Sequence, residues 1–424
     1  MLGKFFNTLL QYVKTEEVRK KIYVSLLILL VFRVLSKVPV IGVTADALGQ
    51  LLSQVQSIGD LISTLGGGVL ETASVIAVGL GPYINASITL QLLTPVIPKL
   101  AELKKEGSQG RRMISLYTRL LTVPLAILQS FGIYSILVGY GLLSSISPFE
   151  IVVMSATLTA GAVIMMWLGE LVSEDGVGNG TSWIIFLGII SSVPAAIASN
   201  WPYLDNLQKF LFVLSNLIMI GVVVLISEAE RRVKIQYSRR VNSTAGTSDN
   251  FIPLKLTQSG VLPVIFAISF LSFPTLVASF LKSRNISDDI NFYSDKVIAF
   301  IDNPWTQNIG LVVLIIAFSL FYITIVFNTD EVAEDLQKKG GFIQGIRPGK
   351  NTSKYLRLVS MRLTIVGAII LSLLSVVPNL LQYLGVFQTP LITGTGLLIT
   401  VSVLLDIRRQ IKAMSVSRDY SRYM

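Results

Sequence analysis

Ala73 to Pro98 reads ASVIAVGLGPYINASITLQLLTPVIP and carries no charge. That is long enough to cross a bilayer, which takes about 20 residues. Yet it holds Gly79, Gly81, Pro82, Asn85, Ser87 and Gln91. A helix facing lipid has little use for such residues. The stretch therefore predicts a membrane helix set against something other than lipid. Just before it comes Ser57-Ile58-Gly59-Asp60-Leu61-Ile62-Ser63-Thr64-Leu65-Gly66-Gly67-Gly68, a short amphipathic piece ended by three glycines. Glycine costs about 1 kcal/mol in a helix relative to alanine and permits sharp chain reversal.

Outward from this stretch, uncharged runs of spanning length recur along the whole chain. Of its 424 residues, 52% are hydrophobic and 14% charged, against about 25% charged in soluble domains. The pattern is that of an all-α polytopic membrane protein. A transmembrane barrel would show short alternating segments instead. Ten spans are predicted, near 22–41, 73–98, 114–138, 151–171, 181–199, 208–227, 260–281, 307–328, 358–378 and 392–407. Pro378-Asn379 and Pro390 are read as dividing the last two. The opening MLGKFFNTLLQYVKTEEVRKK is amphipathic and charged, not a cleavable signal.

Ten spans put both termini on one side. The N-terminus, 99–112, 172–180, 229–259, 329–357 and 408–424 together hold 27 of the 35 Lys and Arg residues. The opposite segments hold Lys282, Arg284 and Lys296. The positive-inside rule assigns the first set to the cytoplasm, and topology then accounts for most of the net charge of +10. Two cytoplasmic loops, 229–259 and 329–357, exceed what topology needs. Their Gly and Pro residues predict protruding turns with basic tips, suited to a partner or simply to water.

The interior excludes several chemistries. There is no Cys and no His, so thiol nucleophiles, disulfides and His-based triads or metal sites are absent. No protease or hydrolase motif is present. Gly176-Val177-Gly178-Asn179-Gly180 lacks the lysine and strand of a phosphate loop and reads as a turn into the fifth span. The expectation is no enzyme and no cofactor. No carboxylate lies at mid-membrane, which weighs against the alternative of an ion-coupled secondary transporter for a small solute. Arg33 in the first span either pairs with carbonyls or faces an aqueous cavity.

Several motifs, in order, resemble the SecY family, the large subunits of bacterial and plastid protein-conducting channels. They are Gly81-Pro82-Tyr83-Ile84-Asn85-Ala86-Ser87-Ile88 with Gln91-Leu92-Leu93-Thr94; ELKKEGSQGRR at 102–112; Glu174 to Gly180; Gly345-Ile346-Arg347-Pro348-Gly349 with Arg362-Leu363-Thr364; and Gly394 to Ile399. The resemblance covers essentially the whole chain. It implies two inverted halves, 22–200 and 201–407, around a central pore, with an N-terminal segment 1–21 and a cytoplasmic tail 408–424. Inverted repeats also occur in transporters, so symmetry alone does not settle function.

Carried over by motif, the pore ring is Ile84, Ile88, Ile185, Ile265 and Ile399. Ile84 and Ile88 share a helix face, and a ring of alkyl groups closes to a dry constriction. An isoleucine in a membrane helix ordinarily faces lipid or a neighbour, so only the motif singles out these five. Thr181 takes a place that is often aliphatic, which would make the ring more polar. The plug is Ser57 to Gly68. The lateral gate lies between spans two and three and spans seven and eight, with Asn85 and Gln91 as polar contacts across it. The loops dock partners through Arg347, then Arg231, Arg232, Arg239 and Arg240. Implied partners are SecE-like and SecG-like small subunits, a SecA-type ATPase, the ribosome, signal sequences and nascent chains, and membrane lipid. The implied location is the bacterial inner (plasma) membrane.

Overall fold

The computed structural model describes residues 16–40, 74–139, 147–237, 251–258, 260–283, 288–383 and 393–421. The plug segment 57–68, Arg239 and Arg240 lie outside them. The chain forms α1 (Glu16–Leu35), α2 (Gly81–Leu93), α3 (Pro98–Lys105), α4 (Ser108–Gly139), α5 (Pro148–Asp175) and α6 (Gly180–Asn200). It continues as α7 (Asn206–Glu228), β1 (Glu230–Tyr237), β2 (Phe251–Lys255), α8 (Leu262–Ser283), α9 (Asp288–Asp302) and α10 (Pro304–Val326). Last come α11 (Thr329–Lys338), β3 (Gly341–Ile343), α12 (Lys350–Tyr383) and α13 (Gly394–Ser421). The ten expected spans are α1, α2, α4, α5, α6, α7, α8, α10, α12 and α13.

The first five pack as one set, with α4 against α2 and α5, and α5 against α1 and α6. The last five form another, with α10 between α8 and α12, and α13 against α12 and α7. The sets meet along two seams. On one, α8 packs against α4 and α2; on the other, α13 packs against α6.

The second span differs from its expected form. Only Gly81–Leu93 is helical, because Pro82 starts the helix and the chain breaks again before Pro98. Residues 75–80 form turns, with Gly79 at φ 61°. Irregular backbone at membrane depth persists only where protein covers it. Here Ile76 and Leu80 are fully buried, Val75 N–H donates to Val38 O at 2.9 Å, and α5 comes so close that a Cβ on Gly161 would sit 2.0 Å from Val75 O.

Pro378 likewise does not divide two spans. It lies inside α12, which continues to Tyr383. Proline at 378 leaves the Leu374 carbonyl without its helical donor. The start of α13 covers that carbonyl, and a Cβ on Gly394 would lie 2.5 Å from it. Asn379 Nδ2 also donates to Asn308 Oδ1 of α10 at 3.3 Å.

The turn into α6 forms as read from sequence. Asn179 caps the helix, accepting from Thr181 and Ser182 N–H. Gly178 takes φ 91°, and Gly180 packs where a Cβ would strike Gly169 O.

Beyond the helices, the loops 229–259 and 329–357 combine into one antiparallel sheet of order β2-β1-β3. Arg231 pairs with Leu254, and Ile235 with Ile343. Val233, Leu254, Ile343, Leu356 and Val359 form a small core beneath it. The sheet was not expected, though Val233 and Ile235 alternate as a half-buried strand does.

Candidate functional site

The two helix sets enclose an apolar cluster that includes all five isoleucines singled out by motif. Ile84 and Ile88 come from α2, Ile185 from α6, Ile265 from α8 and Ile399 from α13, and every one is buried. Phe32, Met165, Ile184, Ile189 and Phe266 join them. Sequence reading missed these, because an isolated apolar residue in an apolar helix carries no directional signal.

Thr181 does not face this cluster. Its hydroxyl donates to Asn179 Oδ1 at the helix cap. Its methyl points at α5, 3.2 Å from where a Cβ on Gly169 would lie.

Beside the cluster, between α2, α4, α8 and α10, lies a cavity of about 870 Å³. Ile88 and Phe266 line both cavity and cluster. The walls are mostly apolar, and Leu128, Phe270 and Phe273 at the cavity are exposed to the outside of the bundle. Phe318 of α10 stands edge-on to Phe266 and Phe270 at centroid distances of 6.0 and 5.9 Å. Asn85 lines this cavity, as do Thr89, Gln129 and Ser269. Gln91 does not line it. Its amide donates to Ser87 Oγ at 3.0 Å, within α2. Gln129, a lone amide in an apolar run of α4, was legible as a polar seam residue and was missed.

Charge inside the bundle is paired or turned outward. Arg119 of α4 and Glu170 of α5 form an ion pair at 2.7 Å. Arg33 lies exposed on α1 beside Leu30 and Val34 rather than turned inward.

On the sheet side, Arg347 is exposed in the turn after β3. Gly345 and Gly349 flank it at φ 79° and 92°, and Thr352 Oγ1 donates to its carbonyl at 3.1 Å. The backbone is thus fixed and the guanidinium projects. Arg231 is also exposed. Arg232 pairs with Glu230 at 2.9 Å and lies 4.8 Å over the Phe251 ring. Arg408 and Arg409 of α13 reach Glu228 at 2.9 Å and Ser227 O at 3.0 Å, tying the tail helix to the end of α7. Burial, and then the Arg409 charge, hold the Lys255 ammonium of β2 below its ordinary range.

The SecY family model matches residues 74–408. The chain belongs to the SecY family. The translocase subunit SecY of Corynebacterium glutamicum is 38% identical over 98% of this chain and 99% of its own length. That of Bacillus subtilis is 36% identical, covering 99% of each, and that of Streptomyces coelicolor 39%, covering 97% and 98%. Among solved structures, one of a protein-conducting channel is similar with TM-score 0.70 at 18% identity, covering 96% of this chain and 94% of its own. Sec61 in a canine ribosome–channel complex is similar with TM-score 0.65 at the same identity, over 96% and 94%. At that identity the solved structures establish the fold, a helical membrane channel fold shared across distant relatives.

Proposed function

We propose that this chain is the channel-forming subunit of a protein translocase, passing unfolded secretory chains across the plasma membrane. The observation that carries the reading is convergence. Five isoleucines from four helices and both helix sets meet in one dry cluster, and that cluster opens sideways onto an apolar cavity. Alkyl groups make no directed bond, so they part around any side chain and reseal.

In this reading Ile84, Ile88, Ile185, Ile265 and Ile399 form the pore ring. The cavity between α2, α4, α8 and α10 is the inner face of a lateral gate that releases membrane helices and admits signal sequences. Ser57 to Gly68 seals the channel from the non-cytoplasmic side. Both termini and the sheet face the cytoplasm, where the basic loops belong. Arg347 and Arg231 present exposed guanidinium groups, unpaired among the described residues and suited to carboxylates or RNA phosphate, so a SecA-type motor and the ribosome both fit. Arg232, held by Glu230 and Phe251, contributes less. Small SecE-like and SecG-like subunits brace the two halves.

The test is ion leak. The chain with Ile84→Ser and Ile88→Ser, reconstituted in planar bilayers, is expected to leak severalfold more than the parent in the resting state. A seal as tight as the parent's moves the constriction elsewhere.

A further inference from the structure

Helix α9 belongs neither to the spans nor to the sheet. It follows α8 and precedes α10, so it lies at the membrane face away from the sheet: α8 leaves the sheet at β2, and α10 returns to β3. Its sequence, DDINFYSDKVIAFID, divides into three sectors at helical spacing. Ile290, Ser294 and Ile298 turn inward, Ser294 being buried and the other two partly so. Asp288, Asp295 and Ala299 form an exposed sector. Phe292, Tyr293, Lys296 and Phe300 form another, which exposed Asp289 joins at the start of the helix, and its three aromatics are 55%, 66% and 66% exposed.

Three large aromatics on one side of a charged helix are costly to leave in water. With Asp295 and Lys296 at its middle, the helix is equally unfit for the hydrocarbon core. The boundary between the two suits all three sectors. Lys296 lies 4.4 Å over the Phe292 ring. Two neighbours point to the same level. Trp305 opens α10 and is 60% exposed. Trp201, between α6 and α7 on the same face, is exposed with Lys209 Nζ 5.6 Å from its ring. Tryptophan and tyrosine collect at membrane interfaces because one end is apolar and the other polar.

We propose that α9 lies in the headgroup region of the leaflet away from the sheet, with Phe292, Tyr293 and Phe300 among lipid and Asp288 and Asp295 toward water. Asp295 also pairs with Lys282 at the end of α8, at 2.6 Å. The interface helix therefore holds the outer end of the helix that flanks the lateral cavity. When α8 moves, it moves against a lipid-anchored paddle. This goes beyond the channel reading and does not depend on where the pore ring lies.

The absence of cysteine makes the test direct. Single cysteines replace Phe292, Tyr293 or Phe300 in one group and Asp288 or Ala299 in another. Each carries a nitroxide, in the full chain reconstituted into phosphatidylethanolamine–phosphatidylglycerol vesicles. At the three aromatic positions, collisions with oxygen are expected to exceed those with a water-soluble nickel complex severalfold; at the other two the order reverses. Equal access of the nickel complex at all five overturns the proposal, since the aromatic sector is then in water. Shielding of the aromatic sector from both reagents overturns it too, since protein then covers it. Should Phe292→Cys unfold the chain, Tyr293→Cys and Phe300→Cys carry the same reading.

Discussion

Along α6 and α13 the two helix sets meet through Ile184, Ile185, Ile399 and Val403, all buried in one cluster. Along α2, α4 and α8 they meet around a cavity of about 870 Å³ whose outer wall includes exposed Phe270 and Phe273. Both seams are apolar. They differ in where space is left: the second encloses that cavity, while the named residues of the first are buried against one another. Inside a membrane, lipid is as apolar as leucine, so helices hold together by close packing rather than by exclusion of water. A dense seam loses dispersion energy with the first small gap. A seam that already contains a cavity has less to lose. Separation of the two halves is therefore expected to be cheaper on the α2–α4–α8 side, with the α6–α13 side as the hinge.

The largest expected effect breaks the dense seam. Ile399→Ala removes a buried side chain from it and is expected to cost about 2–5 kcal/mol, the range for buried Ile to Ala. Phe273→Ala, larger in volume but at the open seam, is expected to cost about 0.5 kcal/mol, as exposed positions do. Thermal unfolding of the two purified variants in one detergent checks the order. Equal losses would mean that the seams are packed alike.

A smaller effect, of opposite sign, fills the open seam. A Cβ on Gly132 would meet nothing within 4 Å, and Gly132 lines the cavity. Gly132→Phe is expected to stabilise the resting chain by about 0.5–2 kcal/mol, as cavity-filling changes do. Transport of signal-bearing chains should fall severalfold, because the space they need is taken. Faster transport, or a drop in melting temperature, would show that the cavity is not space held for a substrate.

How much of this was legible beforehand follows from physics at each level. The spans were, because backbone in lipid must satisfy its own hydrogen bonds and so declares itself as apolar helix. Their exceptions were not. Residues 75–80 are as apolar as a helix, and only their burial under α5 lets them be turns. Pro378 looked like a break, yet α12 runs through it with α13 packed over the freed carbonyl. The sheet joins strands more than a hundred residues apart, so no local window shows it. The five clustered isoleucines were visible by motif alone. Their convergence is a property of four helices at once, whereas the hydrogen bond of Gln91 to Ser87 is purely local.

That bond offers the smallest and sharpest test of the difference between the seams. Gln91 was expected to reach across the gate, and its amide instead donates to Ser87 within α2. A polar pair in a membrane bundle is worth about 0.6 kcal/mol on average, so Ser87→Ala should cost about that much. The polar group on the facing wall is Ser269 of α8, whose hydroxyl is buried with no hydrogen-bond partner among the described residues. If Gln91 is occupied inside its own helix, Gln91→Leu and Ser269→Ala should be additive within about 0.5 kcal/mol. A coupling of about 1 kcal/mol between them would mean that the amide turns outward and clasps the seam. The cavity side would then be held by a directed bond as well as by packing, and its cavity would no longer be a sufficient reason to expect it to part first.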